Sequence, residues 1–249
     1  FVVNGSLLVR TSEASMSGEK EKLERISDLK MVPHIRHFGT VVGKRTLNYL
    51  ILDHLEGSDL ESAIGSMPIS DQDRLGTATS RFLSSLHQKS DRLYDIGLYI
   101  PSIPRFNGSW KEGHLQFWSR LRRDVEALAL DKGTREVVER GFTHMEATQT
   151  CLDDQVGPVL LHNDFHPRNI IVVNGVFSGV IDWECSQFGE PDFDLVHLIH
   201  WTVFPPKGPV SYHRVVRTIL DDQVKMLSLA RIAQRLTIYE IEHEICQLI

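Results

Sequence analysis

Cysteine is scarce in this chain: Cys151, Cys185 and Cys246 are the three among 249 residues, and none lies in a CxxC pair. Their scatter excludes a disulfide framework and a cysteine-built metal site, and points to a reducing, cytoplasmic compartment. No apolar run approaches the ~20 residues of a membrane-spanning helix, and no leader of the charged-then-apolar type opens the chain, so no membrane partner is expected. A cationic surplus is missing too. Lys and Arg number 27 against 33 Asp and Glu, a formal net charge of -6. That argues against nucleic acid as the main partner, which requires a clustered positive surface, and would suit a cationic small molecule. Internal repeats and low-complexity tracts are also absent. So is an initiating methionine: the chain opens at Phe1 inside a strand pattern, and further residues are expected upstream.

What is present is an ordinary globular balance, 41% hydrophobic and 24% charged, in a chain long enough for one large domain or two lobes with their own cores. Phe1–Val3 and Leu7–Val9 flank Asn4-Gly5, a hairpin signature. Ser17 to Leu29 carries Leu23, Ile26 and Leu29 at helical spacing. Val41-Val42 and Leu47 to Leu52 flank Gly43-Lys44-Arg45, a second hairpin. Beyond Gly57 the pattern turns helical. Ser70 and Asp73 have the spacing of a capping box before the apolar stripe Leu75, Ala78, Phe82, Leu83, Leu86. Helices are expected at 110–130 and 134–151, split by Lys132-Gly133, and again from Tyr212 to Ile249. Short strands are expected at 159–161, 170–173 and 176–181, with Asn174-Gly175 as a tight turn.

The densest cluster of reactive side chains is His162-Asn163-Asp164-Phe165-His166-Pro167-Arg168-Asn169, followed by Ile181-Asp182-Trp183. A carboxylate in a loop between two strands can relieve an acceptor hydroxyl of its proton. An amide oxygen and a second carboxylate are the hard ligands magnesium prefers. Phosphoryl transfer needs little else from a protein. The expected roles are therefore Asp164 as base and Asn169 and Asp182 as metal ligands, with the 170–181 hairpin folding Asp182 back beside Asn169.

The spacing His-x-Asp-x-x-x-x-Asn is the kinase catalytic-loop pattern. Followed by the Asp182 triplet and by Gly189-Glu190-Pro191-Asp192-Phe193-Asp194-Leu195, it makes the chain similar to the aminoglycoside phosphotransferase family of small-molecule kinases. The resemblance implies an α+β, bilobal, protein-kinase-like fold: a small strand-rich N-lobe and hinge over 1–55, truncated at its start, and a larger, mainly helical C-lobe over 56–249. It implies ATP and Mg²⁺ as cofactors, a small-molecule hydroxyl acceptor, adenine at the hinge residues Leu52, Asp53 and Leu55, and Arg10 on the phosphates. Glu19, rather than the competing Glu21, would be the acidic partner of Arg10. His162 and Asp194 would be structural, Asp194 bracing the catalytic loop through backbone N–H groups. His166 and Glu184 would support, the latter facing a cationic substrate. Asn163 departs from the family's glycine, and the cover over the ATP phosphates would lie upstream of Phe1.

Other readings compete at several positions. His162, Asp164 and His166 alternate as strand-borne metal ligands of a hydrolase would, but Pro167 ends a strand and no second cluster with ligand spacing stands nearby. Gly39 to Lys44 misses the Walker spacing by one residue and lacks Ser or Thr after the lysine. Trp110, Phe117, Trp118 and Leu121 read as packing, and Glu190 and Asp192 as solvated surface charges. The acceptor stays open between an aminoglycoside-like cation and choline, a sugar or an amino alcohol, its specificity residing in the helices around 101–150 and the tail. A non-catalytic kinase-like binding module is the remaining alternative, and Asp164, Asn169 and Asp182, all intact, speak against it. Nothing in the sequence specifies an oligomeric state.

Overall fold

A computed structural model describes residues 2–98, 102–204 and 212–249; Phe1 of the first expected strand and Pro101 lie outside the described residues. Val2–Val3 (β1) and Leu7–Ser12 (β2) pair about a turn in which Asn4 and Gly5 take φ of 52° and 70°. These are the residues that enter the left-handed region at least cost. Helix α1 (Ser17–Arg25) follows, burying Glu19 and Leu23. Strands β3 (Ile35–Val42) and β4 (Thr46–Asp53) form the second hairpin, so Gly39 to Lys44 belongs to a strand end and its turn. The sheet order is β1-β2-β4-β3. It sets β2 against β4 with Leu7 opposite Asp53 and Arg10 opposite Leu50.

The chain then passes through β5 (Ser58–Asp59), α2 (Leu60–Ala63), α3 (Ile69–Leu86), β6 (Tyr94–Ile96), β7 (Ile103–Phe106), α4 (Trp110–Glu126) and α5 (Lys132–Thr148). After β8 (Val159–Leu161) come β9 (Ile170–Val173), β10 (Val176–Val180), β11 (Gln187–Gly189), α6 (Leu195–Val203), α7 (His213–Leu227) and α8 (Ile232–Cys246). Strand β5 joins the β9–β10 hairpin, and β11 pairs with β8. Among the described residues no helix is long and apolar enough to cross a membrane.

Several expected boundaries shift, each for a local reason. Helix α3 starts at Ile69 behind Pro68, so Ser70 and Asp73 do not form a capping box. Ser70 Oγ turns to Asp71 instead, and Asp73 pairs with Arg214 at 2.6 Å. Asp131, not the Lys132-Gly133 pair, separates α4 from α5: its carboxylate caps α5 by accepting from Thr134 N at 3.0 Å. The tail is two helices, broken where Ser228 and Arg231 adopt φ of 48° and 58°.

One apolar core runs from the sheet into the helical part. Leu23 of α1, Ile26 just after it, and Leu50 and Leu52 of β4 pack with Leu75, Phe82 and Leu83 of α3, and with Phe165 and Trp183. The sheet is thereby seated on the hairpin that carries the reactive residues. Gly179 of β10 lets the segment between α1 and β3 come close, since a Cβ there would meet Met31 O at 2.5 Å. A second core gathers Trp110, Phe117, Trp118 and Leu121 with Phe142 and Tyr239. Here Glu190 and Asp192 overturn the reading as solvated surface charges: both are fully buried. Glu190 accepts from Tyr94 OH at 2.6 Å and from Gly157 N at 3.0 Å. Asp192 receives a two-pronged pair from the equally buried Arg235, at 2.6 and 2.9 Å. Burial of charge demands such partners.

Candidate active site

The loop between β8 and β9 owes its shape to a buried carboxylate. Asp194 Oδ1 accepts from Asn163 N at 2.7 Å, and Oδ2 accepts from His162 N at 3.2 Å and pairs with His87 Nε2 at 3.0 Å. Asn163 stands at φ 60°, a conformation glycine takes freely and asparagine tolerates better than most residues. Its side chain secures the turn by donating from Nδ2 to Cys185 O at 3.2 Å.

His162 is wholly enclosed, edge-on to Trp183 at 4.7 Å. Its Nδ1 accepts from Asp164 N at 3.3 Å. We therefore assign the ring hydrogen to Nε2, which donates to Ile181 O at 2.8 Å. Burial pushes this imidazole below its usual pKa, so it stays neutral. The ring ties the loop to the strand leading into Asp182, and the three-residue metal cluster of a hydrolase does not assemble.

Asp164 is the centre of the polar network. Asn169 Nδ2 donates to its backbone oxygen at 2.9 Å and to Oδ2 at 3.1 Å, while His166 Nε2 lies 3.4 Å from Oδ1. Burial alone would raise the Asp164 carboxyl. The His166 hydrogen bond and charge outweigh it and hold the group below the usual carboxylate range. His166 is fixed from behind by stacking on Trp201, centroids 4.1 Å apart and planes 9° from parallel. The Arg168 guanidinium lies over the same indole and pairs with Glu61 at 2.5 Å.

Asp182 arrives beside Asn169 because Ile181 N donates to Asn169 O at 3.0 Å, continuing the Val180–Ile170 register. Like Asn163 it has positive φ, 66°. Its carboxylate is half exposed and bonds Arg10 Nη1 at 3.0 Å. The same nitrogen holds Glu19 Oε1 at 2.8 Å, and Nη2 holds Glu184. Arg10 thus gathers three carboxylates, Glu19 from α1 and Asp182 and Glu184 from the segment after β10. Burial works against its charge, and those carboxylates more than restore it. Glu21 is engaged elsewhere, with Arg25. Glu19 is pushed by burial up to about 7, against the pull of Arg10. A cavity of about 670 Å³ lies alongside, bordered by Arg10, Glu19, Lys22 and Cys185.

The hinge residues divide their tasks. Leu52 faces the core. Asp53 spends its N–H on His34 O and its carboxylate on Arg36, at 2.5 and 2.9 Å. Leu55 packs over Gly179. Sequence reading missed Trp201, the Glu61–Arg168 pair and the role of His87. A tryptophan in an apolar helix and a salt bridge spanning 107 residues carry no local signal.

Asn169 and Asp182 suit magnesium by the chemistry of their donors. With Nδ2 committed to Asp164, Asn169 has its amide oxygen to offer, and Asp182 adds a carboxylate, both hard oxygens.

A family model described as "Phosphotransferase enzyme family" matches residues 3–223. Among solved structures, aminoglycoside phosphotransferase APH(4)-Ia aligns with a TM-score of 0.70 at 16% identity, covering 99% of this chain and 79% of that one. A thermostable mutant of that enzyme, in a ternary complex with AMP-PNP and hygromycin B, aligns with a TM-score of 0.68 at 15% identity, covering 99% and 79%. The GDP and kanamycin complex of APH(2'')-IIIa gives 0.67 at 16% identity, covering 99% and 80%. Sequence comparison with curated proteins finds no match. The structural likenesses show the fold, the α+β bilobal arrangement of the aminoglycoside kinases.

Proposed function

This chain belongs to the phosphotransferase enzyme family, and we propose that it moves the terminal phosphoryl group of ATP to a hydroxyl of a polar, cationic small molecule. The nucleotide would lie between the lobes 1–55 and 56–249, its adenine against the backbone at Leu52, Asp53 and Leu55. Asp164, held ionised by its histidine surroundings, would orient the acceptor hydroxyl and take its proton. His166 would keep the Asp164 carboxylate aimed, braced by Trp201. Asn169 and Asp182 would hold Mg²⁺, which supplies charge neutralisation on the phosphates. Arg10 would turn from its carboxylate partners to the phosphate oxygens, with Glu19 keeping the guanidinium in place.

The observation that carries this reading is the convergence of Asp164 and Asn169, 2.9–3.1 Å apart, with Asp182, itself bound to Arg10 from the sheet. The net charge of -6 favours a cationic acceptor. So does the neighbouring fold, since related structures carry kanamycin and hygromycin B. The test is an ATP-consumption screen over aminoglycosides, amino alcohols, choline and sugars, with mass spectrometry of the products. A product heavier by one phosphoryl group supports the reading. ATP turnover that no acceptor stimulates and that Asp164→Ala leaves unchanged would sink it.

A further inference from the structure

Away from the catalytic loop, α6 and α8 bring a second set of ligating side chains together. His200 on α6 and His243 and Glu244 on α8 each place one donor atom within 4.8 Å of the other two. Helical spacing explains how. Residues three and four apart share a face, so Glu240, His243 and Glu244 of α8 line one side, and His200 lies on the helix packed against them. His200 Nδ1 stands 3.1 Å from Glu244 Oε1 and 2.9 Å from Glu240 Oε1, and His243 Nδ1 is 3.7 Å from the same Glu244 oxygen. The two imidazole centroids are 4.1 Å apart.

These separations have a chemical meaning. A tetrahedral ion with bonds near 2.05 Å needs neighbouring ligand atoms roughly 3.3 Å apart, and 3.1 and 3.7 Å bracket that edge. Two imidazole nitrogens with a carboxylate oxygen form a donor set for borderline transition ions, whereas Mg²⁺ and Ca²⁺ select oxygen. The cluster is graded in depth. His243 is buried, His200 is intermediate and Glu244 is exposed, which provides an entry path. Glu240 Oε2 is buried without a hydrogen-bond partner among the described residues, while its Oε1 contacts His200.

We propose that His200, His243 and Glu244 form a binding site for one divalent transition-metal ion of the Zn²⁺ class, with Glu240 beside it and one coordination position left to water. Binding there takes the Nδ1 lone pair of a neutral His200 imidazole, in place of its contacts with the two carboxylates. It also fastens α6 to α8. Helix α6 carries Trp201, the residue stacked on His166, so the ion would stiffen the wall behind the catalytic loop. The alternative is a His200 held by two glutamates and indifferent to metal.

Chelator-stripped protein titrated calorimetrically with Zn²⁺, in excess Mg²⁺ to occupy the Asn169–Asp182 oxygens, separates the two. One Zn²⁺ per chain is expected, together with the visible absorption of low-coordinate Co²⁺ when cobalt is substituted. Glu244→Gln, at an exposed position, and His200→Ala should each weaken binding about tenfold or more, and Asp182→Asn should leave it intact. Should His200→Ala fail to fold, Glu244→Gln decides alone. Absence of Zn²⁺ binding, binding indifferent to Glu244→Gln, or binding lost in Asp182→Asn would overturn the site.

Discussion

Arg10 and Asp182, 172 residues apart in the chain, meet at 3.0 Å. This contact joins the small sheet to the reactive hairpin. It is sustained by Glu19 on one side and Glu184 on the other. Replacing Arg10 by methionine would leave three carboxylates facing one another with no cation. We expect kcat/KM to fall about ten- to a hundredfold through loss of the phosphate contact proposed for Arg10, since a hydrogen bond to a charged group is worth roughly 1.5–3 kcal/mol. Steady-state kinetics paired with nucleotide-binding calorimetry checks this. Unchanged values in both would remove Arg10 from the site.

Asp164→Ala should lower turnover by about 10²–10⁴-fold, the usual worth of a general base, while nucleotide affinity changes little. His166→Ala should cost less, because it acts on Asp164 only by positioning. Single-turnover rates under saturating nucleotide distinguish the two.

Glu19 sets a pH dependence of known sign. Its carboxyl is raised by burial from 4.5 to about 7, so between those values the folded state binds more protons than the unfolded one. The stability this contributes is full below 4.5 and is lost as pH rises through about 7. The melting temperature of the wild type should therefore decline between pH 5 and 8 more steeply than that of Glu19→Gln. Parallel slopes would contradict the raised value.

Asn163 makes a conformational prediction. At φ 60° a β-branched residue is strained, and Asn163→Val should destabilise by about 1–3 kcal/mol. Asn163→Gly relieves the backbone while losing the hydrogen bond to Cys185 O, and should stay within about 1 kcal/mol of wild type. Urea denaturation curves read both.

Arg235→Met strands Asp192 in the second core and should cost about 3–5 kcal/mol, the penalty of an uncompensated buried charge. Asp192→Asn combined with Arg235→Met should recover part of that loss. No recovery in the double variant would mean that packing, and not charge, dominates.

Much of this protein was readable in one dimension because its chemistry is concentrated in one dimension. His162 to Asn169 and the Asp182 and Asp194 segments are contiguous stretches whose side-chain order alone implies a reaction class. The turns at Asn4-Gly5 and Asn174-Gly175 announce hairpins by local stereochemistry, and β9 and β10 had to form once that turn closed. Tertiary structure decided everything that depends on distant partners. Glu19 and Glu21 are alike in sequence, and only the packing of α1 turns one toward Arg10 and the other toward Arg25. Glu190 and Asp192 look like surface charges until Tyr94 and Arg235 arrive to bury them. His200, His243 and Glu244 are separate polar residues until two helices lie side by side. Local spacing governs what a segment can do, whereas burial and ion pairing depend on the neighbours the fold supplies. Those neighbours come from parts of the chain that share no pattern.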